Sequence, residues 1–162
     1  MVKQVKTLAM KLLEGKKVAY ETAVYPTTLR DAEEIAKILD VPPEQVFKTL
    51  VVNAPKGNPR AKPMLVMIPA NRQLNLKKLA TAVNVKKLKM ASHREAEAMT
   101  KLQVGGISPL ALLNKGFTIY LDSSAQDCEQ IMVSAGQRGI QILLTVADLK
   151  KVTKARFANI AD

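Results

Sequence analysis

The five residues Gly105-Gly106-Ile107-Ser108-Pro109 form a bend too tight and too permissive for ordinary scaffold. Paired glycines admit positive φ and let another molecule approach closely, and the proline fixes the direction in which the chain leaves. Main-chain N–H groups at such a bend can form a concavity for an anionic or carbonyl oxygen. A plain surface turn between a helix and a strand would also use these residues. The rest of the chain decides between the two.

Helical and strand patterns interleave around the bend. Val5, Leu8, Ala9 and Leu12 fall at helical spacing, with Gly15 as the expected C-cap. Val18 to Tyr25 alternates like a strand and stops at Pro26. Ala32, Ile35, Ala36 and Leu39 mark a second helix, ending before Val41-Pro42-Pro43. Phe47–Val52 reads as a strand, 53–63 as an exposed loop carrying Lys56, Arg60 and Lys62, and 64–68 as a fully apolar strand. Asn75 N-caps a third helix through Leu76, Leu79, Ala80 and Val83, and Ser92-His93-Arg94-Glu95 is a capping box opening a fourth. Strands are expected at 118–121, 131–133 and 140–144, and Thr145-Val146-Ala147-Asp148 opens a last helix. Short strands close in sequence favour a mixed sheet over a purely parallel one, within one α/β (α+β) domain over 1–162.

Charge supplies the first functional hint. Twenty-five Lys and Arg against fourteen Asp and Glu give +11, which suits a polyanionic partner, nucleic acid above all. Aromatic residues are 4% and Trp is absent, so phosphate contacts rather than base stacking should carry such binding. Lys77-Lys78, Lys86-Lys87-Lys89 and Lys150-Lys151-Lys154 could track phosphates or be solvated helix faces. No apolar run approaches membrane-span length, the basic N-terminus lacks an apolar signal core, and one cysteine allows no intrachain disulfide. A soluble, cytoplasmic protein is the expectation.

The common catalytic devices are poorly supplied. His93, the only histidine, sits inside the capping box and should face solvent. Cys128 lies between Asp127 and Glu129, which would raise a thiol's pKa, and reads as a small buried residue. No metal-ligand spacing, P-loop or dinucleotide fingerprint is present, so neither metal nor cofactor is expected. Two features remain. Lys48 shares strand parity with Leu50 and Val52, so it either meets an anion or ligand on that face or snorkels to water. The bend 134–139 holds Ser134 and Arg138 with Gly136 and Gly139, as a hairpin turn or as part of a site. N–H groups and a cation of this kind suit an ester carbonyl or a phosphate.

Phe47-Lys48-Thr49-Leu50, Leu76-Lys77-Lys78, Gly105-Gly106-Ile107-Ser108-Pro109-Leu110 and Ser134-Ala135-Gly136-Gln137-Arg138-Gly139 stand in the order and spacing of the YbaK-type aminoacyl-tRNA deacylases. The chain resembles that family over nearly its whole length. The family comprises free-standing relatives of the editing domain of bacterial prolyl-tRNA synthetase. The resemblance implies a compact α/β fold with a mixed, barrel-like sheet flanked by helices, and an enzyme needing no metal. It implies removal of a wrong amino acid from tRNA, with Cys-tRNA(Pro) as substrate and prolyl-tRNA synthetase as a transient partner. By position Lys48 becomes the essential lysine, with Thr49 beside it and Tyr25 as a pocket residue. Gly105, Gly106, Ile107, Ser108 and Pro109 become the loop that embraces the aminoacyl carbonyl. Ser134, Gly136, Arg138 and Gly139 make up the second bend. The substrate's own thiol would attack its ester and release a thiolactone, which explains a chain with no evident catalytic base.

The resemblance is incomplete at 26–31, at Ala111 in place of a usual glycine, at Gln141 where acids are common, and at Ala23 where histidine is frequent. These positions bear on which amino acid is removed. Two other readings stay open at this point: a water-using deacylase for Ala-tRNA(Pro) or another small residue, and a non-catalytic module binding tRNA or a synthetase.

Overall fold

The computed structural model describes residues 6–162. Helix α1 runs Leu8–Gly15 under a Thr7 cap, so Val5 of the expected stripe lies outside the described residues. The buried face is Ala9, Met10 and Leu13, not Leu8, which is 62% exposed. Gly15 belongs to the last turn rather than capping it, and the left-handed residue after the helix is Lys17. Then come β1 (Glu21–Val24), α2 (Ala32–Ile38), β2 (Phe47–Val52), β3 (Met64–Pro69), α3 (Leu76–Ala82) and α4 (His93–Thr100). The chain finishes with β4 (Thr118–Asp122), β5 (Gln130–Ser134), β6 (Ile140–Thr145), α5 (Val146–Thr153) and β7 (Arg156–Ala158). Strand β1 is half the length expected from Val18–Tyr25, because the ladder with β6 runs over Glu21–Val24 and Ile140–Leu143.

The strands form two sheets, β1-β6-β5 and β2-β3-β4-β7. The first is antiparallel; in the second, β2–β3 is antiparallel while β3–β4 and β4–β7 are parallel. The expected barrel-like sheet is therefore corrected to two sheets that do not close: β1 and β7 end as unpaired edges, and among the described residues the backbone bridge between the sheets is Val46–Met132. Strand parity explains the layering. Phe47, Val51, Leu65, Met67 and Leu121 turn toward Ile131, Val133, Ile142 and Leu144, and α1 and α5 close that core with Leu13 and Leu149. The opposite residues Val52, Met64, Val66 and Ile68 pack under α3 against Leu79 and Ile160. A third, smaller cluster seats α2 through Ala32 and Ala36 on Val46 and Met132.

Local signals are realised as hydrogen bonds. Asn75 Oδ1 accepts from Lys78 N at 3.0 Å, and Ser92 and Glu95 complete a reciprocal capping box at 3.1 and 2.9 Å. His93 is exposed as expected. Cys128 is half-buried rather than buried, and burial, then Asp127 and Glu44, push its thiol up. Among the described residues no helix is long and apolar enough to cross a membrane.

Candidate active site

The site lies along the outer edge of β2. On its inner edge β2 pairs with β3 over its full length. On the outer edge Val46 bridges Met132, and Val51 to Asn53 pair with the segment 89–91: Ala91 N donates to Val51 O and Asn53 N to Lys89 O, both at 3.0 Å. Between these two attachments the edge has no backbone partner among the described residues. Because Val51 and Asn53 bond outward, strand alternation points the main-chain N–H and C=O of Thr49 outward too.

A cavity of about 170 Å³ fills that gap. It is lined by Lys48, Thr49, Gly105, Ile107 and Ser134, all expected at the site from the sequence, and by Gln141, Arg30 and Val104. Lys48 is half-buried, with Nζ donating to Ala70 O at 3.3 Å. The Ser134 hydroxyl accepts from Gly136 N at 3.1 Å, leaving its proton to donate. Thr49 Oγ1 and Gln141 Oε1 are buried without a hydrogen-bond partner. A buried polar atom left in that state costs about 1–3 kcal/mol. Two of them lining one cavity mark groups poised for a ligand. In the sequence Gln141 stands out only as an unusual residue. The hairpin register sets it directly opposite Ser134, and cross-strand partners share a face, so the strand–turn–strand signal around 134–141 carries its position. Arg30 has no comparable signal, since it precedes α2 in an irregular segment.

The other residues expected at the site are not in the cavity lining. Tyr25 is 3% exposed with its hydroxyl unpartnered, and its N–H donates to Gly139 O at 2.9 Å. Ser108 is fully buried and its Oγ caps the following turn by accepting from Leu110 N, with Pro109 buried beside it. The expectation of a run of unengaged N–H groups at the bend needs correction for Gly106, whose N–H donates to Gln103 O at 2.8 Å. Gly105 and Ile107 remain as the bend's donors at the cavity. The two glycine bends are one assembly. A Cβ on Gly106 would stand 2.9 Å from Arg138 N and from Gln137 C, so only glycine lets the backbones touch. Gly105 has a φ of +92°, and Arg138 reaches past it to donate from Nε to Val104 O at 2.7 Å. Arg138 is thus a clamp between bends, not a solvated turn residue. Gly136 faces the Ala111 methyl, 3.3 Å from where its own Cβ would be.

Among the described residues no group of three or more His, Cys, Asp and Glu side chains could hold a metal ion. The chemistry the cavity can offer is electrostatic: the Lys48 ammonium, the Arg30 guanidinium, the Asp31 carboxylate that caps α2, N–H donors, two hydroxyls and an amide carbonyl around a small space.

Residues 27–152 match the family model described as the aminoacyl-tRNA editing domain. A protein of Enterococcus faecalis, provisionally named Cys-tRNA(Pro)/Cys-tRNA(Cys) deacylase EbsC, is 38% identical over 159 residues, 97% of this chain and 94% of that protein. A proline–tRNA ligase of Streptococcus equi subsp. equi is 29% identical over 130 residues, which are 80% of this chain but 20% of the ligase. A solved structure described provisionally as a trans-editing enzyme for prolyl tRNA synthetase shares the fold, with a TM-score of 0.81 at 22% identity over 98% of this chain and 99% of that one. The match to the family model, over most of the chain, and the near full-length likeness to the E. faecalis protein agree: the chain belongs to the aminoacyl-tRNA editing domain family.

Proposed function

We propose that the protein removes a mischarged amino acid from tRNA in trans, with Cys-tRNA(Pro) as substrate, acting in a transient complex with prolyl-tRNA synthetase in the cytoplasm. The observation that carries this reading is the cavity on the β2 edge, where Lys48 and the two glycine bends converge on unpartnered polar atoms. Its volume of about 170 Å³ suits a small aminoacyl group, since a cavity of about 150 Å³ holds a guest the size of benzene. Gln141 Oε1, an acceptor without a donor, suits the substrate's α-ammonium. The N–H groups of Gly105 and Ile107, with the Lys48 ammonium, suit the negative charge that develops on an ester carbonyl under attack.

The nucleophile in this reading comes from the substrate. The cysteinyl thiol loses its proton to solvent, its sulfur bonds to the ester carbonyl carbon, and the bond from that carbon to the ribose oxygen breaks. The ribose oxygen takes up a proton, and a four-membered thiolactone leaves with intact tRNA. The protein's part is to hold sulfur and carbonyl in reach and to stabilise the oxyanion, which is positioning and electrostatics.

The test is single-turnover reaction of purified Cys-tRNA(Pro), quenched rapidly and read by mass spectrometry. Thiolactone and uncharged tRNA are the expected products, and Ser-tRNA(Pro) should react far more slowly because its hydroxyl is a poor nucleophile. Cysteine in place of thiolactone would replace the thiol with water, and release only from Ala-tRNA(Pro) would replace the substrate. Release at the uncatalysed rate from all three would overturn the enzyme reading.

A further inference from the structure

The outer edge of β2 that carries the cavity continues into a groove of about 730 Å³. Its two walls are distant in sequence, the loop beginning at Asn53 and the run Val85–Lys89. The pairing of 89–91 with Val51–Asn53 fixes one beside the other. Leu88 is 7% exposed and pins the run to the α3 core, so Lys86, Lys87 and Lys89 stand in solvent, facing exposed Lys56. Four ammonium groups line the groove and no carboxylate does. The nearby acid is Glu95, already engaged by the Ser92 cap; its carboxyl is held low first by Ser92, and Lys89 contributes last. Glu95 therefore offsets part of the charge of Lys89, and among the described residues neither Lys56, Lys86 nor Lys87 forms an ion pair.

We infer that this four-lysine groove binds the phosphates of the RNA strand that leads away from the 3′ end held at Lys48. Five strand steps separate Lys48 from Asn53, about 17 Å at roughly 3.3 Å per residue. A stacked strand rising roughly 3.4 Å per nucleotide along its axis covers that distance in about five nucleotides. An RNA whose terminal ester enters the cavity reaches the lysines by passing over the segment 89–91, which covers the edge between the two and itself carries Lys89. The lining contains no aromatic side chain and no arginine, the residues that dominate protein–protein hot spots, and no base-stacking platform. What it supplies is sequence-independent attraction for a polyanion. The inference rests on the deacylase reading for the identity of the RNA, not for the charge of the groove.

The experiment measures binding of uncharged tRNA(Pro) transcript to the full chain by fluorescence anisotropy between about 50 and 200 mM KCl, where phosphate contacts are most visible. In Lys56→Gln/Lys86→Gln/Lys87→Gln the slope of log K against log salt should fall by roughly two to three, at about 0.7–0.9 for each phosphate no longer neutralised. Lys86→Gln alone should lower it by about one, which keeps the test alive if the triple variant melts early. An unchanged slope in a folded variant overturns the groove. So does an unchanged slope accompanied by failure to capture prolyl-tRNA synthetase, which would make this a protein-docking face. Cleavage of 3′-cysteinyl adenosine by the wild-type chain, a substrate too short to reach the lysines, reports on the deacylase reading separately.

Discussion

At the scale of single residues, the cavity divides labour between charge and shape. Lys48 supplies the only ammonium at the cavity, so Lys48→Ala should lower the single-turnover deacylation rate by about 10²–10³-fold, the usual effect of removing one transition-state donor. Its melting temperature should hardly move, since Nζ makes one long bond to a carbonyl. Gly106 works by having no side chain. Gly106→Ala sets a methyl 2.9 Å from the backbone of 137 and 138, which cannot yield as a flexible side chain would. An overpacking cost of about 1–3 kcal/mol is expected in urea unfolding, with activity falling as the bends separate.

At the scale of elements, the fourth helix is held at its start by a reciprocal cap that also sets the lysine groove's neighbour. Ser92→Ala should destabilise the protein by about 1 kcal/mol in urea unfolding. The pH dependence follows from the same contact. The hydrogen bonds from Ser92 hold the Glu95 carboxyl below its ordinary value of 4.5, and Lys78, then Asn75, hold Asp162 below 3.8. A depressed carboxylate contributes stability above its unfolded value and loses it as the pH falls through the folded one. Unfolding midpoints should therefore decline from about pH 4.5 downward, and Glu95→Gln, which removes the titrating carboxyl, should flatten the start of that decline. Both side chains are exposed, so added salt should shrink the effect. The caps at Asn75, Ser92 and Thr145 were legible because a capping bond joins residues two or three apart. The length of β1 and the pairing of β7 were not, since a strand ends where its partner ends.

At the scale of the molecule, one core joins two sheets, so a cavity made in it should be felt globally. Leu121 is fully buried between the sheets, and Leu121→Ala should cost about 2–5 kcal/mol, read as one cooperative loss of both sheets in a denaturant titration followed by circular dichroism. Spacing, glycine and charge are local properties, so the interleaving of helices and strands, the two bends and the excess of cations are all written in the order of residues. Lys48 is carried the same way, since its strand parity with Leu50 and Val52 is a count of two. Folding alone makes the two glycine bends one clamp, with Arg138 reaching across 34 residues to Val104. It likewise divides the expected barrel into two open sheets and brings Gln141 and Thr49 to the same cavity. The physical reason is that closure, register and the satisfaction of buried polar atoms depend on which distant backbones meet, and no period along the chain encodes that meeting.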